Sequence, residues 1–165
     1  MKLSPTLTRL MLNGFPPLLF NGIRITHLQP DFLRLTVRIR SSLLNRNLQR
    51  TIFGGTIFSA ADPYYAILYW QLMYRRGLPT EAWLKQAEID YHRPGKTDLR
   101  LHFRLTGADA RDAEQALRRE GKFERWHEVE VRDRHGRVCA TVRTLVHLRL
   151  RNLRRAPTPA ATDAP

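Results

Sequence analysis

The sequence predicts an α+β domain in which a long apolar helix is wrapped by a curved antiparallel sheet of about five or six strands. Three observations carry that expectation. Residues 57–74 are apolar on nearly every side, so a helix there must be enclosed. Segments before and after it alternate apolar and polar residues with period two, the mark of strands with one packed and one wet face. The chain has 165 residues, the size of one domain, about 100–200 residues being usual, so residues 1–150 are read as a single unit.

The elements follow in order. Residues 5–13 form a short amphipathic helix with Leu7, Leu10 and Met11 on one face and Arg9 off it. Asn13-Gly14 stops it and Pro16-Pro17 prevents its continuation. Residues 22–40 hold two strands about a Pro30-Asp31 turn, and in the second Leu33, Leu35, Val37 and Ile39 alternate with Arg34, Thr36, Arg38 and Arg40. A polar connection over 41–53 leads through Gly54-Gly55 into the apolar helix, which Gly77 and Pro79 close. Asp62-Pro63 interrupts that helix, leaving either two pieces or one kinked rod. A strand over 83–92, a turn at Arg93-Pro94-Gly95-Lys96 and a strand over 97–106 come next. Residues 109–120 are a helix with Asp109 as N-cap and Gly121 as its stop. Strands over 123–132 and 137–150 close as a hairpin about Asp133-Arg134-His135-Gly136. Residues 151–165, basic and then rich in Pro and Ala, bury too little surface to order themselves and are expected to be a disordered tail.

Composition narrows the function. With 42% hydrophobic and 26% charged residues the chain is neither disordered throughout nor a membrane bundle. No transmembrane segment is expected, because Asp62, Pro63 and Gln71 break the longest apolar run, and the proline-interrupted start makes a poor signal peptide. The single cysteine, Cys139, excludes an internal disulfide framework and suits a reducing, cytoplasmic setting. No metal site is expected: the six histidines are scattered, and His127-Glu128 lacks the second histidine of a zincin helix. The formal charge of +13 predicts attraction to polyanions, whether nucleic acid, acidic lipid headgroups or phosphorylated small molecules, although arginine-rich coding alone gives the same excess. A nucleic-acid binder is the remote alternative, resting on charge only.

The stretch from Asn47 to Asp62 carries the chemistry. Gly54-Gly55 sits where a polar loop enters a helix, and free amides at a helix start hold an anion or polarise a carbonyl oxygen. Asp62 is the only residue between Gly54 and Arg75 that carries a charge at neutral pH. A carboxylate in such company is desolvated, which raises its pKa and makes it a candidate base. The Asn47 amide can orient a water or a carbonyl. Taken singly, each feature also has a plain reading: the glycines as a turn, Asp62 as a helix cap, Asn47 as a loop residue. The aromatic cluster Phe58, Tyr64, Tyr65, Tyr69 and Trp70 is expected first of all in the core.

Together these residues resemble the hotdog-fold acyl-CoA thioesterases, in particular the phenylacetate-degradation type and its relatives of unassigned function. That family sets an asparagine ahead of His-Gly-Gly and an aspartate behind it. Here Asn47 stands six residues before Phe53, Gly54 and Gly55 follow, and Asp62 stands nine after Phe53. Tyr91-His92-Arg93-Pro94-Gly95 matches the family's strand-to-turn texture, and the likeness covers about residues 20–150. The resemblance implies a homodimer or a dimer of dimers that binds acyl-CoA or acyl-carrier protein at the subunit interface, with no cofactor beyond the coenzyme A of the substrate. It implies that the amides of Gly54 and Gly55 polarise the thioester carbonyl. Asp62, from the partner subunit, would activate water or attack, and Asn47 would position that water. Arg93, Gly95 and Lys96 at the turn, or Arg118, Arg119 and Lys122 near the later helix exit, would meet the coenzyme phosphates. Phe53 stands where the family has histidine, so it would line an acyl pocket, and an acyl-CoA- or lipid-binding protein without turnover is the alternative. The dehydratase relatives' histidine, five residues after the aspartate, is Ile67 here, which argues against hydration chemistry.

Overall fold

The computed structural model describes residues 1–151. Helix α1 spans Pro5–Gly14 and α2 Pro16–Phe20, and β1 (Ile23–Leu28) and β2 (Arg34–Ile39) follow. A 3-10 turn at Leu43–Asn45 leads to α3 (Gly54–Ser59) and α4 (Tyr64–Arg75), so the apolar helix is two pieces. Then come β3 (Thr80–Tyr91), β4 (Leu99–Arg104), α5 (Gly107–Glu120), β5 (Lys122–Asp133) and β6 (Val138–Leu150). The six strands form one antiparallel sheet in the order β1-β2-β4-β5-β6-β3. Strands β1 and β3 are therefore the edges. Position 151 is described and exposed; the rest of the expected tail lies outside the described residues.

Burial explains the architecture. Leu35, Val37 and Ile39 on β2, Leu99, Leu101 and Phe103 on β4, and Ala140, Val142, Val146 and Leu148 on β6 are all buried. Against that face lies α4, burying Tyr64, Tyr65, Leu68, Tyr69, Leu72 and Met73. Tyr64 and Tyr65 both pack on Phe103, with ring centroids 5.2 and 5.0 Å apart. The polar Gln71 is fully buried because it has work to do: its Oε1 accepts from the Leu3 amide and its Nε2 donates to the Met1 carbonyl, tying the N-terminus to α4.

Two local expectations are corrected. In α1, Leu7, Leu10 and Met11 share a face, but that face is 40–70% exposed, and Thr8 with the preceding Leu3 turns inward. Thr8 tolerates burial because its hydroxyl donates to the Ser4 carbonyl. In α5 the N-cap is Thr106, not Asp109. Asp109 is the third residue of a capping box: it accepts from the Thr106 amide and hydroxyl, while its own amide donates to the Thr106 hydroxyl. Gly121 ends that helix at φ 72°, as its position after the last turn predicts.

Candidate functional site

The loop over 41–53 is held from below by Asn45, which is buried. Its Nδ2 donates to the carbonyls of Asn21 and Arg40, and its Oδ1 accepts from the Ser42 amide. The Phe53 amide donates to the Asn45 carbonyl, and the Ile52 amide to the Gly95 carbonyl, both at 2.8 Å. These bonds lay the loop against the turn after β3 and bring α3's first residues there. A pocket of about 640 Å³ opens at that junction, lined by Asn47, Phe53, Gly54 and Gly55 on one side and Tyr91, Arg93 and Gly95 on the other.

The structure thus gathers six of the expected site residues. In α3 the amides of Thr56 and Ile57 both donate to the Phe53 carbonyl; those of Gly54 and Gly55 precede them and have no carbonyl one turn back within the helix to accept them. Each glycine lets a neighbouring ring lie close to the backbone. A Cβ on Gly54 would stand 2.9 Å from the Tyr91 hydroxyl oxygen, and one on Gly55 2.3 Å from Cε1 of Phe53. The Tyr91 hydroxyl donates to the Gly54 carbonyl at 3.0 Å. The Phe53 ring, 56% exposed, lies over Gly55 as a wall of the pocket. Asn47 spends its Oδ1 on the loop, accepting from the Gln49 and Thr51 amides and the Thr51 hydroxyl. Its Nδ2 is left to donate. Gly95 contributes backbone, with its α-carbon seated against the Leu99 side chain. Arg93 is exposed on the rim.

The other expected residues lie elsewhere. Lys96 is exposed beside the turn without lining the pocket. Lys122 is paired with Arg149 at the β6 end of the sheet near Thr80, whereas Tyr91 ends β3 at the pocket. The run from Thr80 to Tyr91 puts about 35 Å between them. Asp62 sits in the turn between α3 and α4. The expectation of a buried acid is corrected: in the single chain its side chain is open to solvent. The turn presents it outward while the adjoining protein mass still desolvates it enough to push its pKa above the ordinary carboxylate value. Nor does it cap α4, whose N-cap is Pro63 without any side-chain bond. Among the described residues its carboxylate has no hydrogen-bond or ion-pair partner.

Sequence reasoning missed Tyr91 as a pocket residue. A tyrosine at a strand end carries no signal of its own; only the Gly54-to-turn contact reveals it. Arg118 and Arg119, near the exit of α5, are engaged with Glu114 and Glu120. Among the described residues no three His, Cys, Asp or Glu side chains converge as metal ligands, and no helix is long and apolar enough to cross a membrane.

A six-stranded antiparallel sheet embracing a central helix, entered through a glycine pair beside the sheet's end, defines a hotdog-fold protein. The chain belongs to the family described as "Domain of unknown function (DUF4442)", whose model matches residues 5–148. Among solved structures, it is similar to a Pseudomonas aeruginosa protein of unknown function described as a probable thioesterase. That likeness has a TM-score of 0.79 and 23% identity, and covers 92% of this chain and 99% of that one. A Chlorobaculum tepidum protein of unknown function superposes with TM-score 0.75 at 14% identity, covering 92% and 99% of the two chains. The PaaI protein of the E. coli phenylacetic acid degradation operon does so with TM-score 0.62 at 20% identity, covering 88% and 91%. Among curated proteins none matches. At these identities the likeness establishes the fold.

Proposed function

We propose that the chain is a thioesterase that hydrolyses an acyl-CoA or acyl-carrier-protein thioester as a homodimer. The observation that carries this reading is the carboxylate of Asp62: desolvated, raised in pKa, and without structural employment as a cap or ion-pair partner. A carboxylate in that condition is a stronger base than an ordinary one and is free to take a proton. The amides of Gly54 and Gly55 receive the thioester oxygen, and the Nδ2 of Asn47 donates to the attacking water or to the same oxygen. Asp62 removes a proton from water, and the hydroxide adds to the carbonyl carbon. Collapse of the tetrahedral oxyanion breaks the C–S bond, and the departing thiolate recovers the proton from Asp62. Direct attack by Asp62, giving a mixed anhydride that water opens, uses the same groups.

The six residues of α3 rise by about 9 Å, which separates Gly54 from the turn that holds Asp62. One chain therefore holds acid and amides too far apart to meet at one carbonyl, and a two-fold partner supplying Asp62 to the other pocket resolves this. The exposed edge of β3 is where that partner pairs. Arg93 on the rim and Lys96 beside it hold phosphate of the coenzyme through charge-assisted bonds; Lys122 reaches such a ligand only from the second subunit.

The test is a panel of acyl-CoA thioesters of graded chain length with the wild-type chain and Asp62→Asn. Cleavage of at least one thioester, reduced by about a hundredfold or more in the variant with an unchanged melting temperature, is the expected result. A second reading rests on the Phe53 ring over Gly55, which offers hydrocarbon contact in place of a hydrogen-bonding imidazole. Saturable acyl-CoA binding with no turnover of any panel member would select that non-catalytic reading and overturn the first.

A further inference from the structure

The sheet's solvent face carries a row of arginines. Arg24 on β1 stands directly opposite Arg38 on β2, Arg38 opposite Arg100 on β4, and Arg100 opposite Arg132 on β5. Directly opposed residues share a face about 5 Å apart, and like charges so placed are destabilising. Two of the four have carboxylate partners, Arg38 in Asp98 and Arg132 in Glu130. Arg24 and Arg100 have none among the described residues.

At its β1 end the row runs into a concavity of about 610 Å³, where Arg24, Arg38 and Arg40 converge. Asp98 steadies one of them: it accepts from Arg38 Nε at 2.8 Å and from the Ser41 amide at 2.9 Å. One carboxylate against three guanidiniums leaves Arg24 and Arg40 with charge to give. Gly22 keeps the floor open, since it holds φ 69° and a Cβ there would stand 2.9 Å from the Arg40 carbonyl oxygen. The opposite wall is apolar. Phe20 of α2 is 67% exposed and Leu44 of the 3-10 turn 80% exposed, and both line this concavity. None of its lining residues is shared with the thioester pocket.

Guanidinium forks match phosphate oxygens, and bare hydrocarbon beside them rewards an attached chain. We propose that this groove is a second ligand site, for an amphiphile whose phosphate sits between Arg24 and Arg40 and whose hydrocarbon lies along Phe20 and Leu44. The enclosing walls favour one lipid-like molecule over a nucleic-acid strand, which would need more than one exposed ring for base stacking. The amphiphile comes to the groove either as a soluble monomer or out of a bilayer, and the experiment has an arm for each.

The experiment is calorimetric titration of the full chain with dioctanoyl phosphatidic acid below its micellar concentration. Parallel titrations use inorganic phosphate, dioctanoylglycerol and a short single-stranded oligonucleotide, and vesicles containing long-chain phosphatidic acid test the bilayer source. The lipid monomer should saturate one site, about tenfold or more tighter than either phosphate or the uncharged glyceride. An Arg24→Gln/Arg40→Gln double variant should lose about tenfold or more in affinity without a lower melting temperature, whereas Arg118→Gln/Arg119→Gln, equal in charge change, should not. Vesicle binding that falls in the first double variant and not the second places the source in a bilayer; binding of monomer alone makes it soluble. The site is refuted if the oligonucleotide binds tighter than the lipid, if both double variants weaken lipid binding equally, or if vesicles bind while the monomer does not. Thioester turnover is scored separately and bears on the other pocket only.

Discussion

Acidification should destabilise this fold through one histidine, and the amount can be worked out. His127 on β5 faces α4: its Nε2 lies 3.0 Å from the Tyr69 hydroxyl, and its ring stacks on Tyr65 at 4.4 Å. Arg125 and Asp109 add opposing charges, themselves paired at 2.6 Å. Burial dominates and pushes the imidazole from 6.5 down to about 4. The folded value lies below the unfolded one, so the unfolded chain takes up the proton first. The stabilisation is therefore complete above about pH 6.5 and is lost as pH falls towards 4. At roughly 1.4 kcal/mol per pH unit the loss reaches about 3 kcal/mol. Urea denaturation of the wild-type chain and His127→Gln between pH 7.5 and about 4 measures it. The wild-type free energy should fall more steeply than the variant's across that interval, by about 3 kcal/mol in total. Parallel curves for the two proteins would refute the argument, because the carboxylates, which also titrate, are common to both.

Other perturbations have outcomes of known sign. Asn45→Ala strands the Asn21 and Arg40 carbonyls and the Ser42 amide; a cost of about 2 kcal/mol, read as a fall in melting temperature of roughly 4–8 °C, is expected. Thr106→Ala removes the hydroxyl half of the α5 capping box, leaving its backbone amide to donate to Asp109, and should cost about 1 kcal/mol in urea denaturation, with Thr106→Ser close to wild type. Gly121→Ala forces a side chain onto a left-handed residue and should cost about 1 kcal/mol, whereas Gly14→Ala, with nothing within 4 Å of its Cβ, should not destabilise. Because Asp62 is raised above 3.8, the acid limb of the thioester-cleavage profile should lie above that pH and vanish with Asp62→Asn; a limb at or below it would refute the assignment of Asp62 as base.

The fold was legible wherever periodicity is dictated by burial. Leu35, Val37 and Ile39 announce β2, and Leu99, Leu101 and Phe103 announce β4, because alternate residues of a sheet packed on one face must be apolar. What escaped was set by partners distant in sequence. The inward face of α1 follows from Gln71 and Arg75 gripping the backbone of Leu3, which no local pattern in residues 5–13 reveals. Asp62 looks buried because its sequence neighbours are apolar, yet the break between α3 and α4 turns it outward. Asp109 looks like a cap because both cap and third residue of a capping box favour an acid; only the Thr106 geometry separates them. In the pocket, Gly54, Gly55 and Asn47 were singled out through the family resemblance, whereas Tyr91 is assigned by the meeting of the loop and the turn after β3.

The position of β3 governs how the chain is assembled. It is made before β4, α5, β5 and β6, yet among the described residues its one ladder is to β6, with Thr80 meeting Leu150 and Tyr91 meeting Ala140. A nascent polypeptide leaving the ribosome must therefore carry twelve extended residues without a ladder until the last strand emerges. Closure of that distant pairing should be late and slow. Until then the end of β3 that bears Tyr91 is unanchored, so the cleft it borders can take shape only after the final hairpin has closed.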